Sequence, residues 1–313
     1  MRRFAKLQSW SKSLFLALSV VTVSGTAGAQ ALEPESSSAS GPWCEPGGNL
    51  FAPGEISLED RSEYRLVFDP DGRTAYYHVE SDQPPYQAIY VTRLRNGNYG
   101  PGEVVSFSGT YKDSDPFVSP DGQSLFFSST RPVNGGPERE DTDLWVAHRV
   151  QGGGWGEPEH LGARVNTPKQ ELYVSVTRDG TLYFASGTFE TDFELYRARR
   201  QGRSYAAPEN LGPALNSPDT WEYNPWVSPD GRVLVFASLN RPGGYGLGDL
   251  YVSFNVAGTW TQALNLGPAV NTAKDEFHPT LSNDLRHLYF VRQTWDPFTP
   301  SDFYHLDTLC LWR

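Results

Sequence analysis

Five carboxylates stand at one fixed distance from five turns. Counting nine residues back from the last residue of each Asp-Pro-Asp-Gly-like turn reaches Glu63, Asp113, Glu171, Glu222 and Glu276. A ring of such groups is a candidate site for a hard cation such as Ca²⁺, which takes oxygen ligands. A pair of them is the machinery of glycoside hydrolysis, one carboxyl acting as acid and the other as base or nucleophile. The opposing reading is structural: a residue repeated in every unit does the same task in each, here accepting backbone N–H groups at a strand entrance. Functional variation belongs where the repeats disagree. Seven residues before the same turn position stand Arg65, Asp115, Tyr173, Asn224 and His278, all polar or polar-tipped and no two alike. Neighbouring positions such as Leu66, Pro116, Val174, Pro225 and Pro279 stay mostly apolar. The variable column is the expected lining of a central channel and the expected ligand-binding set. Trp226 joins it as one of three tryptophans, with Trp221 and Trp295, that break the repeat. If this set catalyses, Asp115 is the acid of the variable column and Glu171 or Glu222 its partner.

Other signatures of catalysis are missing. The six histidines never pair at metal-ligand spacing, and no G-x-S-x-G, H-E-x-x-H, phosphate loop or C-x-x-C occurs. Beyond the carboxylate ring as a Ca²⁺ candidate, no cofactor is expected.

The elements that position these residues follow from the turns. They read Asp69-Pro70-Asp71-Gly72, Ser119-Pro120-Asp121-Gly122, Thr177-Arg178-Asp179-Gly180, Ser228-Pro229-Asp230-Gly231 and, degenerately, Ser282-Asn283-Asp284-Leu285, at spacings of 50, 58, 51 and 54. Pro presets φ, Asp bonds nearby backbone and Gly tolerates positive φ, so each turn joins two strands. A second strand follows in Leu125-Phe126-Phe127 and its counterparts. A third follows in Leu144-Trp145-Val146, Leu250-Tyr251-Val252 and, in the last unit, Leu309-Cys310-Leu311. A fourth runs from an aromatic residue to Leu-Gly, as from Trp155 to Gly162. Four strands per unit with no helical stretch between them make a propeller blade. The expectation is an all-β propeller of five four-stranded blades, with six as the alternative.

The last unit ends after its third strand. Trp43-Cys44-Glu45-Pro46 matches Trp155-Gly156-Glu157-Pro158, so residues 43–50 are expected to supply the missing outer strand and close the ring. The units resemble the WD-repeat-like propeller repeats of the TolB type, on S-P-D-G, on Arg241-Pro242-Gly243-Gly244 with Asp249-Leu250-Tyr251, and on Asn210-Leu211-Gly212 before Asn216-Ser217. By analogy that resemblance implies protein partners in the bacterial envelope. Five-bladed glycosidases such as arabinanases and invertases place two or three carboxylates on inner strands. The sequence permits that pattern without indicating it.

The N-terminus reads as an export signal. Arg2, Arg3, Lys6 and Lys12 precede an apolar run from Leu14 to Val23, and Ala27-Gly28-Ala29 supplies small residues for cleavage. Residues 1–29 are therefore expected to be removed, 30–42 to form a Pro/Ser-rich linker, and 43–313 to form the propeller, in the periplasm or outside the cell. Losing four basic residues leaves 22 basic against 37 acidic, a formal charge of −15. That excludes nucleic acid, whose binding needs clustered Lys and Arg, and no later stretch approaches the roughly 20 apolar residues of a transmembrane helix. The functional expectation is a non-catalytic, monomeric binding module presenting its channel mouth and loops to a protein or a glycan. The alternative is a carbohydrate-active enzyme, a glycoside hydrolase or lyase.

Cys44 and Cys310, the chain's two cysteines, are expected on neighbouring strands of the closing blade and so in a disulfide, which export permits. Across so long a loop it would contribute on the order of 5 kcal/mol in the loop-entropy view. The mass of the unreduced, alkylated protein checks this: no alkylated thiol is expected, and two alkylated thiols contradict it.

Overall fold

The computed structural model describes residues 45–295 and 297–312. The export signal, the linker, Trp43 and Cys44 lie outside the described residues.

The chain forms a five-bladed propeller of antiparallel sheets. Its innermost strands are Ser62–Phe68, Asp113–Val118, Gln170–Val176, Trp221–Val227 and Asp275–Leu281. Each passes through its turn into a second strand, as Ser62–Phe68 does into Thr74–Glu80. The turns behave as their residues dictate: Asp71 accepts the N–H groups of Arg73 and Thr74 at 2.7 and 2.8 Å, and Gly72 takes φ +65°. In the degenerate fifth turn Leu285 holds the same left-handed geometry at φ 62°. Outer strands are shorter than expected. The stretch from Trp155 to Gly162 contributes only Glu159–His160 to its sheet, because Trp155 is instead buried under the blade and bridges Arg149.

Closure is as expected in kind. Asn49 and Leu50 pair antiparallel with His305 and Tyr304, completing the fifth blade. The third strand of that blade is Asp302–Asp307, not Leu309–Leu311. Phe303 and Leu306 are the residues that bury there, and the chain then coils into a 3₁₀ turn, Thr308–Trp312, which carries the buried Cys310. The expectation that both cysteines sit on paired strands is corrected accordingly.

Blades are joined by a repeated polar clamp. In each blade one N–H near the start of the third strand donates to a side chain of the loop leading to the next blade. Ile89, Leu144, Leu195, Leu250 and Phe303 donate to Ser108, Asn166, Asn216, Asn271 and Ser57, at 2.8 to 3.3 Å. The three asparagines also donate back to the carbonyl of the same leucine, at 3.0 to 3.1 Å. Asparagine recurs there because its amide carries the donor and acceptor that one peptide unit requires. Between the blades lies an aromatic and aliphatic core including Tyr77, Phe127, Phe184, Phe236 and Phe290 at equivalent second-strand positions.

Candidate active site

The five repeated carboxylates finish the clamps. All are fully buried. Glu171 accepts from Thr167 N and Oγ1 and from Ser186 Oγ. Glu222 accepts from Ser217 N, Thr220 Oγ1 and Ser238 Oγ, and Glu276 from Thr272 N and Oγ1 and Arg292 Nε. Asp113 binds Ser108, Ser129 and Arg131, while Glu63 binds Arg61 at 2.7 Å. Each carboxylate thus ties the incoming loop to its own innermost strand. Among the described residues no group of three or more His, Cys, Asp or Glu side chains is placed to hold a metal ion.

The variable column does converge on the axis. Arg65, Asp115, Tyr173, Asn224 and His278 all adopt φ between 51° and 63°, and each sits where the pairing of innermost and second strands slips by a bulge. A single left-handed residue kinks each strand and re-aims its side chain. Arg65, fully buried, reaches across the axis and donates to the carbonyls of Val174 and Pro225 at 3.2 and 3.1 Å. Asn224 Nδ2 bonds His278 Nδ1 at 3.0 Å, and the Asp115 N–H donates to His78 Nδ1 at 3.1 Å. Both imidazoles therefore face Asp115 Oδ1, at 3.7 and 3.6 Å, with lone pairs already in use, and Oδ1 has no hydrogen-bond partner. Burial, and then Arg65, pushes His78 down to about 3. Burial pushes Asp115 up to about 7, with Arg65 opposing. Trp226 lies elsewhere, in an apolar cleft of about 50 Å³ with Val67, Phe117 and Thr280 at the turn end of the axis. The axis is thus a packed polar plug, not an open channel.

Above the plug the shaft ends at its upper mouth, where the innermost strands begin; there the Tyr173 ring is in edge contact with His278 and 6.0 Å from Tyr223. Burial and then the charges of Asp115 and Glu80 push the Tyr173 phenol up, and Asp275 adds to the effect. Glu80 and Asp275 therefore bear on the same hydroxyl from different blades. Asp275, the first residue of its innermost strand, accepts from Trp295 Nε1 at 2.7 Å and from Tyr223 at 3.4 Å. Burial nevertheless pushes it up to about 6. Gly248 makes room for it, since a Cβ there would come within 2.1 Å of Asp275 Oδ1. Glu80, exposed at the end of the second strand of blade 1, is likewise pushed up by the protein around it, with Lys112 opposing.

Asp275, Glu80 and Tyr223 are absent from the sequence-derived set. The signal for Asp275 lay one residue before the repeated acids, where Ser62, Lys112, Gln170, Trp221 and Asp275 disagree as strongly as the axial column does. A larger hollow of about 570 Å³ opens on the opposite face near Arg178, Arg197, Arg199 and Asp230, away from these carboxylates.

No family model and no curated protein matches the chain. Solved structures do. A glycoside hydrolase matches with a TM-score of 0.58 at 10% identity, covering 84% of this chain and 91% of its own. The endo-arabinase of Bacteroides thetaiotaomicron matches with 0.54 at 16% identity, covering 83% and 97%. A thermostable family-43 glycoside hydrolase matches with 0.52 at 9%, covering 79% and 88%. At such identities the likeness establishes the five-bladed propeller fold, and not the TolB type in particular. The expectation of a non-catalytic binding module is corrected on this finding: these three structures, matched along nearly their whole length, are glycoside hydrolases.

Asp115, Glu171 and Asp275 have folded-state pKa values of about 7, 7 and 6, above those of unfolded carboxylates. Such groups hold their protons longer folded than unfolded, so their contribution is complete below about pH 4 and is lost as pH rises through 6 to 7. The melting temperature should fall between pH 4 and 7, and Asp115→Asn should flatten that fall. A variant whose melting temperature follows pH as steeply as the parent contradicts the assignment.

Proposed function

We propose that this chain is a carbohydrate-active enzyme that hydrolyses a glycosidic bond at the upper mouth of the propeller. The observation that carries the reading is the pair of carboxylates at this end of the ring: Asp275, fixed by Trp295 and Tyr223 at 2.7 and 3.4 Å, and Glu80, exposed at the end of its strand, both pushed above the ordinary carboxylate range. Acid–base cleavage of an acetal needs two carboxyl groups, one to give a proton and one to act ionised, and raised pKa values favour the first of these roles. The glycosidase identity of the matched propellers supports the same chemistry.

In this reading Asp275, ionised above about pH 6, acts as base or nucleophile. Glu80, open to solvent, delivers a proton to the departing oxygen. Asp115, within the plug, bears electrostatically on the Tyr173 phenol and tunes the site, and Tyr173 forms the floor on which the sugar rests. Glu171 and Glu222 stay with the clamps, since each is fully buried and ties its own loop to its own sheet. Arg65, Asn224 and His278 hold the floor in place from below. We also propose that the enzyme works after export, in the periplasm or outside the cell, with Cys44 bridged to Cys310. Among the described residues no helix is long and apolar enough to cross a membrane.

Reducing-sugar release from a polysaccharide panel tests the proposal. Glu80→Gln and Asp275→Asn are each expected to lower turnover by about 10²- to 10⁴-fold, the usual yield of a general acid or base, with circular dichroism unchanged. Parent-like turnover in either variant, or no release from any polysaccharide by the parent, overturns it.

A further inference from the structure

The loops around the mouth are not alike. In four consecutive blades the loop between second and third strands carries large aromatic residues open to solvent: Phe189 in blade 3 (61% exposed), Tyr245 in blade 4 (50%), Trp295 and Phe298 in blade 5 (52% and 60%), and Tyr86 in blade 1 (63%). Trp221 joins them at the start of blade 4, 6.4 Å from Phe189 and 5.3 Å from Phe193. Trp295 and Phe298 lie 6.1 Å apart. The equivalent loop of blade 2 has Glu138, Glu140 and Asp141 instead.

Two of these rings are fixed by their edges. Trp221 Nε1 donates to Thr191 O at 2.8 Å, and Trp295 Nε1 to Asp275 Oδ2 at 2.7 Å. With its polar edge bound, an indole has an apolar face left to offer, and exposed apolar surface grouped on one arc marks a binding surface. Carboxylates on the remaining side and in the mouth, on a mature chain of charge −15, repel an anionic ligand. An apolar arc ringed by fixed carboxylates suits a chain with apolar ring faces and uncharged hydroxyl edges.

We propose that the arc from Phe189 and Trp221 through Tyr245 to Trp295 and Phe298 binds a neutral glycan chain several sugars long. The chain enters across blade 5 so that the sugar stacked on Trp295 lies beside Asp275. Trp295 is thereby a positioning residue with two separable roles, stacking through its face and setting Asp275 through its N–H. The inference rests on the functional reading above for its placement of the reacting bond, but binding is measured apart from turnover.

Tryptophan fluorescence of Glu80→Gln protein, titrated with neutral β-linked and α-linked oligosaccharides of two to eight sugars and with oligogalacturonates, reads the binding. A neutral series should bind more tightly with length. Phe189→Ala and Phe298→Ala should each weaken the longest member by up to about 10-fold, the scale of one aromatic stacking contact, and oligogalacturonates should not bind. Trp295→Phe keeps a ring but removes the N–H that lowers Asp275, so the acidic limb of the activity–pH profile of otherwise parent protein should move to higher pH with little change in KM. Trp295→Ala should raise KM as well. Neutral binding that ignores Phe189 and Phe298, equal binding of galacturonates, or a pH profile unmoved by Trp295→Phe overturns the inference. Cleavage without arc dependence leaves the functional reading standing and removes only this one. Arc-dependent binding without cleavage does the reverse.

Discussion

A blade of four short strands cannot bury both of its faces, so the protein depends on the joints between blades. At each joint a loop side chain takes the N–H of the third strand behind it, and a buried carboxylate on the strand ahead takes the loop's own hydroxyl or amide. A buried carboxylate with unmet bonding is costly, and donors from the loop and the sheet offset part of that cost. This explains why the carboxylate recurs in every unit. Asp113, the one aspartate of the five, is served by Ser108, which itself accepts the Ile89 N–H, so one hydroxyl does the work that asparagine and threonine share in blades 2, 3 and 4.

The joints fix where the innermost strands start, and the bulge two residues on fixes what reaches the axis. Five left-handed residues deliver an arginine, an aspartate, a tyrosine, an asparagine and a histidine to one place. Arg65 then closes the axis by bonding carbonyls exposed by the bulges of blades 3 and 4. With the shaft filled, the proposed chemistry lies outward, among residues at the end of the plug. There burial raises the carboxylate pKa values of Asp275 and Glu80.

Much of this could be read from residue order. The turn spacing yields five blades and the surplus N-terminal strand yields the closure, because both follow from local rules of turn and strand. Comparing columns separated the structural carboxylates from the variable axial set, and the latter do meet. Asp275 escaped because it immediately precedes a repeated acid, and a strand sends adjacent side chains to opposite sides. Its neighbour Glu276 serves the joint while Asp275 faces the mouth. Glu80 escaped because it ends a second strand, and its place depends on how blades 1 and 2 pack. The third strand of blade 5 was displaced onto Leu309–Leu311 by an apolar triplet. The pair that buries, Phe303 and Leu306, is interrupted by the half-buried Tyr304 and His305.

The account stands on a single placement, a glycosidic bond held over Tyr173 between Asp275 and Glu80. A crystal structure of the Glu80→Gln variant with an oligosaccharide that the parent cleaves tests it directly. The account predicts a sugar on the face of Trp295, with the anomeric carbon of the scissile bond facing the Asp275 carboxylate. A ligand seated on the opposite face, near Arg178 and Arg199, with the upper mouth unoccupied, would contradict it.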